Sequence, residues 1–282
     1  MSNLNPFKIL SNLENRKSKV KILSVTDAVI AAICYILILS FLLGIGFSII
    51  DSFNNIILQS FLSIFALAVI FFIVTSVFYW YYITNPGKDK IESRPVKKLT
   101  LPNILLLILI VLGYLLFFDA LLMPIDRILP GFNLVTKGIP LIYKSPLILI
   151  GYLSIVPLLT EFVFRGIILE GLSKKYSDLK ALMICSLISG ISAFNPAGFM
   201  CTFILGILLG YLYIKTHSLC LCIIGDILYS IVTFILIQYY PQFLLLISSN
   251  ILIISLLTIT GLLIMYFGLK KLFSNIKKTN LQ

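Results

Sequence analysis

Two opposite charges, Glu161 and Arg165, stand four residues apart in the run Leu159-Thr160-Glu161-Phe162-Val163-Phe164-Arg165-Gly166, inside an apolar stretch that begins near Pro146. On a helix that spacing puts both side chains on one face, where each can neutralise the other out of reach of water. Two kinds of work suit such a pair. A self-neutralising clasp would hold neighbouring helices in register and would need no chemistry, although keeping it buried is expensive. A buried carboxylate can instead hold a cation or take a proton from water, provided that further ligands or a base converge on it.

Glu161-x-x-x-Arg165-Gly166, followed by an apolar turn and Lys174-Lys175, resembles the Glu-Glu-x-x-x-Arg-Gly signature of the CAAX-protease and bacteriocin-processing (CPBP, or Abi) intramembrane metalloproteases. The resemblance covers roughly Pro146 to Ile231. It implies a membrane-embedded site in which two glutamates, a histidine on a following helix, and a histidine four residues before an Asn or Asp converge on a metal and activate water. Imidazoles and a carboxylate would hold the ion, and a second carboxylate would take the proton. At the position of the first acid, the implied base, the chain carries Thr160, whose hydroxyl is far too weak a base at pH 7. The second motif, Phe-x-x-x-His, aligns with Ser189 and Ala193, and a methyl group cannot ligate metal. The third places Asp226 where the histidine is expected and Ser230 at its partner position. Between the second and third motifs the family carries a Gly-rich apolar helix, which Gly206 to Tyr213 fits, although close packing of membrane helices asks for the same small residues.

The chain's single histidine, His217, lies at a turn between two apolar runs and reads as an interfacial residue. It is near Cys220, Cys222 and Asp226, but the spacing matches no zinc pattern. Cys34, Cys185, Cys201, Cys220 and Cys222 all fall in apolar runs, where a thiol behaves as a small hydrophobe, and an odd count without framework spacing gives no disulfide scaffold. The sequence therefore predicts no catalytic residue, no metal and no cofactor.

The elements that must position these residues are membrane helices. Of 282 residues, 60% are hydrophobic and 12% charged, and the mean hydropathy is +1.08, well beyond a soluble domain. Runs of about 20 apolar residues cross a hydrocarbon core of about 30 Å. They predict an all-α, polytopic membrane helix bundle of about eight spans: 24–50, 55–82, 101–123, 146–172, 181–195, 198–215, 219–240 and 242–269. The fifth and sixth are short enough to form one hairpin that does not fully cross. The division that follows is a polar N-terminal segment (1–23), N-terminal helices and loops (24–145), the motif-bearing core (146–231), and a C-terminal helix with a basic tail (232–282).

All Lys and Arg except Arg127, Lys137, Lys144 and Arg165 fall on one side of this arrangement, which places both termini in the cytoplasm of a multi-pass cell-membrane protein. The net charge of +11 then belongs to juxtamembrane segments that touch anionic lipid, and no basic stripe with interleaved aromatics offers a nucleic-acid platform. The basic segment from Lys88 to Lys98 reads as a solvated connector, and the apolar external loop 125–145 as a segment lying on the membrane surface. Aromatic clusters at Phe78 to Tyr82 and at Tyr239-Tyr240 read as interfacial belts.

Three functions remain open at this level. The favoured one is a protease-like scaffold without protease chemistry, in which Glu161, Arg165 and Asp226 form a buried polar cluster and the membrane lipid or a protein partner's helix occupies the former site cavity. Family resemblance implies roles such as regulating a cell-envelope enzyme or sensor, or bacteriocin immunity. An enzyme with a site remodelled around Glu161, Glu170 and Asp226 is the second. A transporter, with Asp27, Asp119, Glu161 and Asp226 as pathway charges, is the third.

Overall fold

The computed structural model describes residues 5–15, 18–84, 101–128, 145–194, 196–239 and 251–279. They form a helical bundle with one very short ribbon. In chain order it runs α1 (Pro6–Glu14), β1 (Lys19–Val20), α2 (Val25–Asp51), α3 (Ile56–Tyr82), β2 (Ile83–Thr84), α4 (Leu101–Ile128) and α5 (Pro146–Val163). A π-helical stretch (Phe164–Leu169) and a short α6 (Glu170–Ser173) extend α5, and α7 (Asp178–Ile191), α8 (Pro196–Thr216), α9 (Leu219–Tyr239) and α10 (Ile251–Thr279) complete the bundle. Among the described residues seven helices are long and apolar enough to cross a membrane. The fifth span that the sequence predicts, 181–195, corresponds to α7. With 14 residues α7 extends only about 21 Å, so it leans on α8 rather than crossing by itself.

Capping residues set where the helices begin. Ser24 and Asp27 form a reciprocal capping box at the start of α2, so Asp27, one of the candidate pathway acids, is occupied as a helix cap. Asn55 accepts from the Ile57 and Leu58 amides at the start of α3. Ser145 precedes Pro146 at the first turn of α5, and the Ser60 hydroxyl of α3 donates to its Oγ at 2.9 Å, tying the two helix starts together.

Two apolar clusters fill the bundle. One joins α1, α2, α3, α5, the π-helical stretch and α7; the other joins α4, α8, α9 and α10. At the crossing of α4 and α10 the backbones nearly touch. A methyl group built on Gly261 would lie 2.5 Å from the Phe117 amide nitrogen and 2.6 Å from the Gly113 carbonyl, so only glycine allows this approach. Outward-facing side chains such as Phe61, Phe65 and Leu256 are more than 60% exposed, as helices facing hydrocarbon require.

The N-terminal segment carries structure of its own. Residues 6–14 form a helix packed on α3, with Pro6 and Ile9 buried. Lys19 and Val20 pair antiparallel with Thr84 and Ile83. The Leu23 amide donates to the Gly171 carbonyl, and a methyl group on Gly171 would meet Leu23 Cγ at 2.5 Å. Lys174 Nζ donates to the Val20 carbonyl at 2.6 Å, closing a strap across the end of the bundle. The last helix also differs from its expected limits of 242–269. It continues to Thr279, because the basic residues that end the apolar run are good helix formers. Residues 88–98, 129–144 and 240 lie outside the described residues, as does the side chain of Asp119.

Of the aromatic belt at the end of α3, Trp80 and Tyr81 face outward while Phe78 is fully buried, stacked on Tyr82 and edge-on to Tyr35. One part of that cluster is core rather than belt.

Candidate functional site

Pro157 lacks the N–H that would bond to the carbonyl four residues back, so α5 is loosened one turn before Thr160. The helix then widens into the π-helical stretch, which begins between Glu161 and Arg165. Such wide turns are costly and recur at functional sites of membrane and soluble proteins alike. Here the Cys185 thiol of α7 donates to the Phe164 carbonyl at 3.2 Å, supplying a partner where the helical ladder is disturbed.

Glu161 and Arg165 are both buried, at 1% and 3% exposure, and form an ion pair between Glu161 Oε1 and Arg165 Nη1. The spacing argument is realised in space even though the intervening turn is not wholly α-helical. Glu161 Oε2 is buried with no hydrogen-bond partner among the described residues. Asp226, on α9, is partly exposed and lies within electrostatic reach of both charges.

Thr160 has a structural occupation. Its hydroxyl donates to the Val156 carbonyl at 2.9 Å, and having one proton it can only accept from the Tyr35 hydroxyl, 2.8 Å away. Tyr35 comes from α2, packs edge-on against Phe164 at 6.0 Å between ring centres, and is itself buried. The position of the implied base has become a rivet between α2 and α5.

The remaining candidate residues do not gather around Glu161. Glu170 accepts a hydrogen bond from the Tyr213 hydroxyl of α8 at 3.1 Å. Ala193 lies in the turn that follows α7, just before Phe194, which takes the left-handed backbone conformation at φ 55°. Ser230 follows Asp226 by one turn of α9 and is partly exposed. His217 sits between α8 and α9 with φ 52°, its ring edge-on to Tyr213. Cys222 donates to the Leu209 carbonyl at 3.3 Å, which employs it in packing α9 on α8. Gly206 and Gly210 face Ser186 and Leu182 of α7, so the glycine-rich helix does serve close packing.

The metal implied by the resemblance does not fit these residues. Among the described residues no group of three or more His, Cys, Asp or Glu side chains could hold an ion. A methyl group and a carboxylate stand where imidazoles are needed.

Three contacts were not visible in the sequence: those of Tyr35, of Cys185, read there only as a small hydrophobe, and of the Glu14 carboxylate. A lone tyrosine in the apolar run that follows Asp27 was the available signal for the first. The other two depend on contacts between residues far apart in the chain.

Residues 143–232 match the family described as type II CAAX prenyl endopeptidase Rce1-like. No curated protein and no solved structure gives a significant match to the chain.

Proposed function

We propose that this chain, whose residues 143–232 match the Rce1-like family, works without protease chemistry, as a scaffold or regulator of a membrane or cell-envelope protein partner. The observation that carries the proposal is the occupation of Thr160, which spends its proton on the Val156 carbonyl and its lone pair on Tyr35. The residue at the base position holds two helices together. Glu161, Arg165 and Asp226 then act as a polar cluster that fixes how α5 meets α9, with Ala193 and Ser230 as bystanders at former ligand positions. Membrane lipid surrounds the helices, the basic termini face the cytoplasm of a cell membrane, and no nucleic acid is bound. Regulating an envelope enzyme or sensor, or bacteriocin immunity, suits a protein of this kind.

One observation favours a second reading. A buried carboxylate oxygen without a partner, Glu161 Oε2, is the kind of group that active sites retain, so a remodelled hydrolase around Glu161 and Asp226 is the competitor. In-cell photocrosslinking from the lipid-facing surface of α7, followed by purification, separates the two. A scaffold gives one defined protein adduct that persists in Glu161→Gln. A hydrolase gives substrate fragments with the native protein and intact substrate adducts with Glu161→Gln.

A further inference from the structure

The start of α9 is capped from two directions. Ser218, fully buried just before the helix, accepts from the Leu221 amide at 3.3 Å and donates its own proton to Glu14 Oε1 at 2.6 Å. The Leu219 and Cys220 amides donate to Glu14 Oε2 at 2.6 and 3.1 Å. Amides that a helix start leaves without intrahelical partners are thereby satisfied, two of them by a carboxylate from the far end of the chain whose charge also complements the helix dipole.

Glu14 is the last residue of α1, and the chain that follows it is fastened to other elements. The Ser18 amide donates to the Asn12 carbonyl at 3.3 Å, folding the segment back onto α1. Lys19 and Val20 pair with Thr84 and Ile83 beyond α3, and the Lys21 amide donates to the Tyr82 carbonyl at 2.8 Å. The Val20 carbonyl accepts from Lys174 Nζ at 2.6 Å, and the Leu23 amide donates to the Gly171 carbonyl at 3.1 Å. Gly171 lies in α6, which continues α5 through the π-helical stretch, and Lys174 follows it directly. A tie therefore runs from the first turn of α9, through Glu14 and residues 18–23, to the end of the α5–α6 rod. The two helices so joined pack on each other, and they carry Glu161 and Arg165 on one and Cys222 and Asp226 on the other.

We propose that residues 6–15 and 18–23 are a brace that clamps the start of α9 to the end of the α5–α6 rod, with Glu14 as the positioning residue that holds the Cys222 and Asp226 turns of α9 against α5. Its two anchors act in series, so cutting either one frees α9 to the same extent. Packing of α9 on α4 and α8 remains when the brace is cut, so α9 loosens without unfolding. The brace goes beyond the scaffold reading and is independent of it, since neither anchor uses Thr160, Glu161 or the family's ligand positions.

The test uses the full-length protein in a mild detergent with its own cysteines as reporters. The probe is N-ethylmaleimide, and the modified fraction at each cysteine is followed in time by peptide mass spectrometry. Cys222 is fully buried on α9, and Cys185 is buried on α7, outside the brace. Glu14→Ala should label Cys222 about tenfold faster than the native chain, with Glu14→Gln between them, because a lost helix cap is worth about one decade in an opening equilibrium. Gly171→Val, whose side chain collides with Leu23 at the other anchor, should speed Cys222 by a similar factor. Combining it with Glu14→Ala should add less than about twofold, as two cuts in one tie require, while Cys185 stays slow throughout. Acceleration by Glu14→Ala alone marks a local cap and overturns the brace, and unchanged labelling of Cys222 in every variant overturns it too. So does a double variant whose two factors multiply, and so does acceleration of Cys222 and Cys185 together, since the whole bundle has then loosened.

Discussion

Replacing Arg165 by Met tests the energetics of the buried pair most sharply. Methionine keeps the length and apolar stem of the side chain but removes the charge that Glu161 faces. Both partners are almost wholly buried, and Glu161 already has one oxygen without a partner. Removing the guanidinium leaves the buried Glu161 carboxylate without its cation. Breaking one side of a buried pair typically costs about 3–5 kcal/mol. At about 2–4 °C per kcal/mol for a chain of this order of size, Arg165→Met should melt roughly 6–20 °C below the native protein. Glu161→Gln combined with Arg165→Met removes both charges, and should recover most of that loss, since a neutral pair of similar volume needs no compensation. Thiol-reactive thermal melts in a mild detergent read both variants. If Arg165→Met melts within about 2 °C of the native protein, or the double variant is no better than the single, the pair is not a desolvated clasp and the argument fails.

Thr160→Val should cost about 1–3 kcal/mol, because it leaves the buried Tyr35 hydroxyl without its partner. Adding Tyr35→Phe should recover part of it, and strictly additive melts in a double-mutant cycle would count against the rivet. Gly261→Ala forces a methyl group onto the backbone of α4 and should cost about 1–3 kcal/mol with separation of α4 from α10. An unchanged rate of disulfide trapping between cysteines placed on those two helices would contradict that. Gly171→Val should release the strap that joins residues 19–23 to α6, so limited proteolysis should cut before Val25 faster than in the native chain; an unchanged digestion pattern would show that the strap has other anchors.

The architecture was legible where the signal was local. Apolar run length gave the spans, because hydrocarbon thickness sets a length requirement that each segment meets on its own. The same rule explains the short α7, whose apolar run is too brief to cross alone and gains cover from α8. The Glu161–Arg165 pair was legible because four-residue spacing survives the passage into the π-helical stretch. What the sequence hid was long-range. Nothing near Tyr35 in the chain announces Thr160, 125 residues away, and nothing near Glu14 announces the start of α9, more than 200 residues away. The helix formed by residues 6–14 was also hidden, since its few apolar positions are too sparse to signal a span and gain their burial only from α3. Thr160 illustrates the limit in another way: its identity was enough to exclude a strong base, but only its two hydrogen bonds give it a job.

The claim at the centre is that water activation at Glu161 has given way to helix fixation. Its most direct measurement is the divalent-metal content of the purified, detergent-solubilised protein by mass spectrometry of the elements, taken alongside hydrolysis of a fluorogenic peptide. The account predicts well under one ion per chain, and background hydrolysis that Glu161→Gln leaves unchanged. One ion per chain, with hydrolysis abolished by Glu161→Gln, would contradict it.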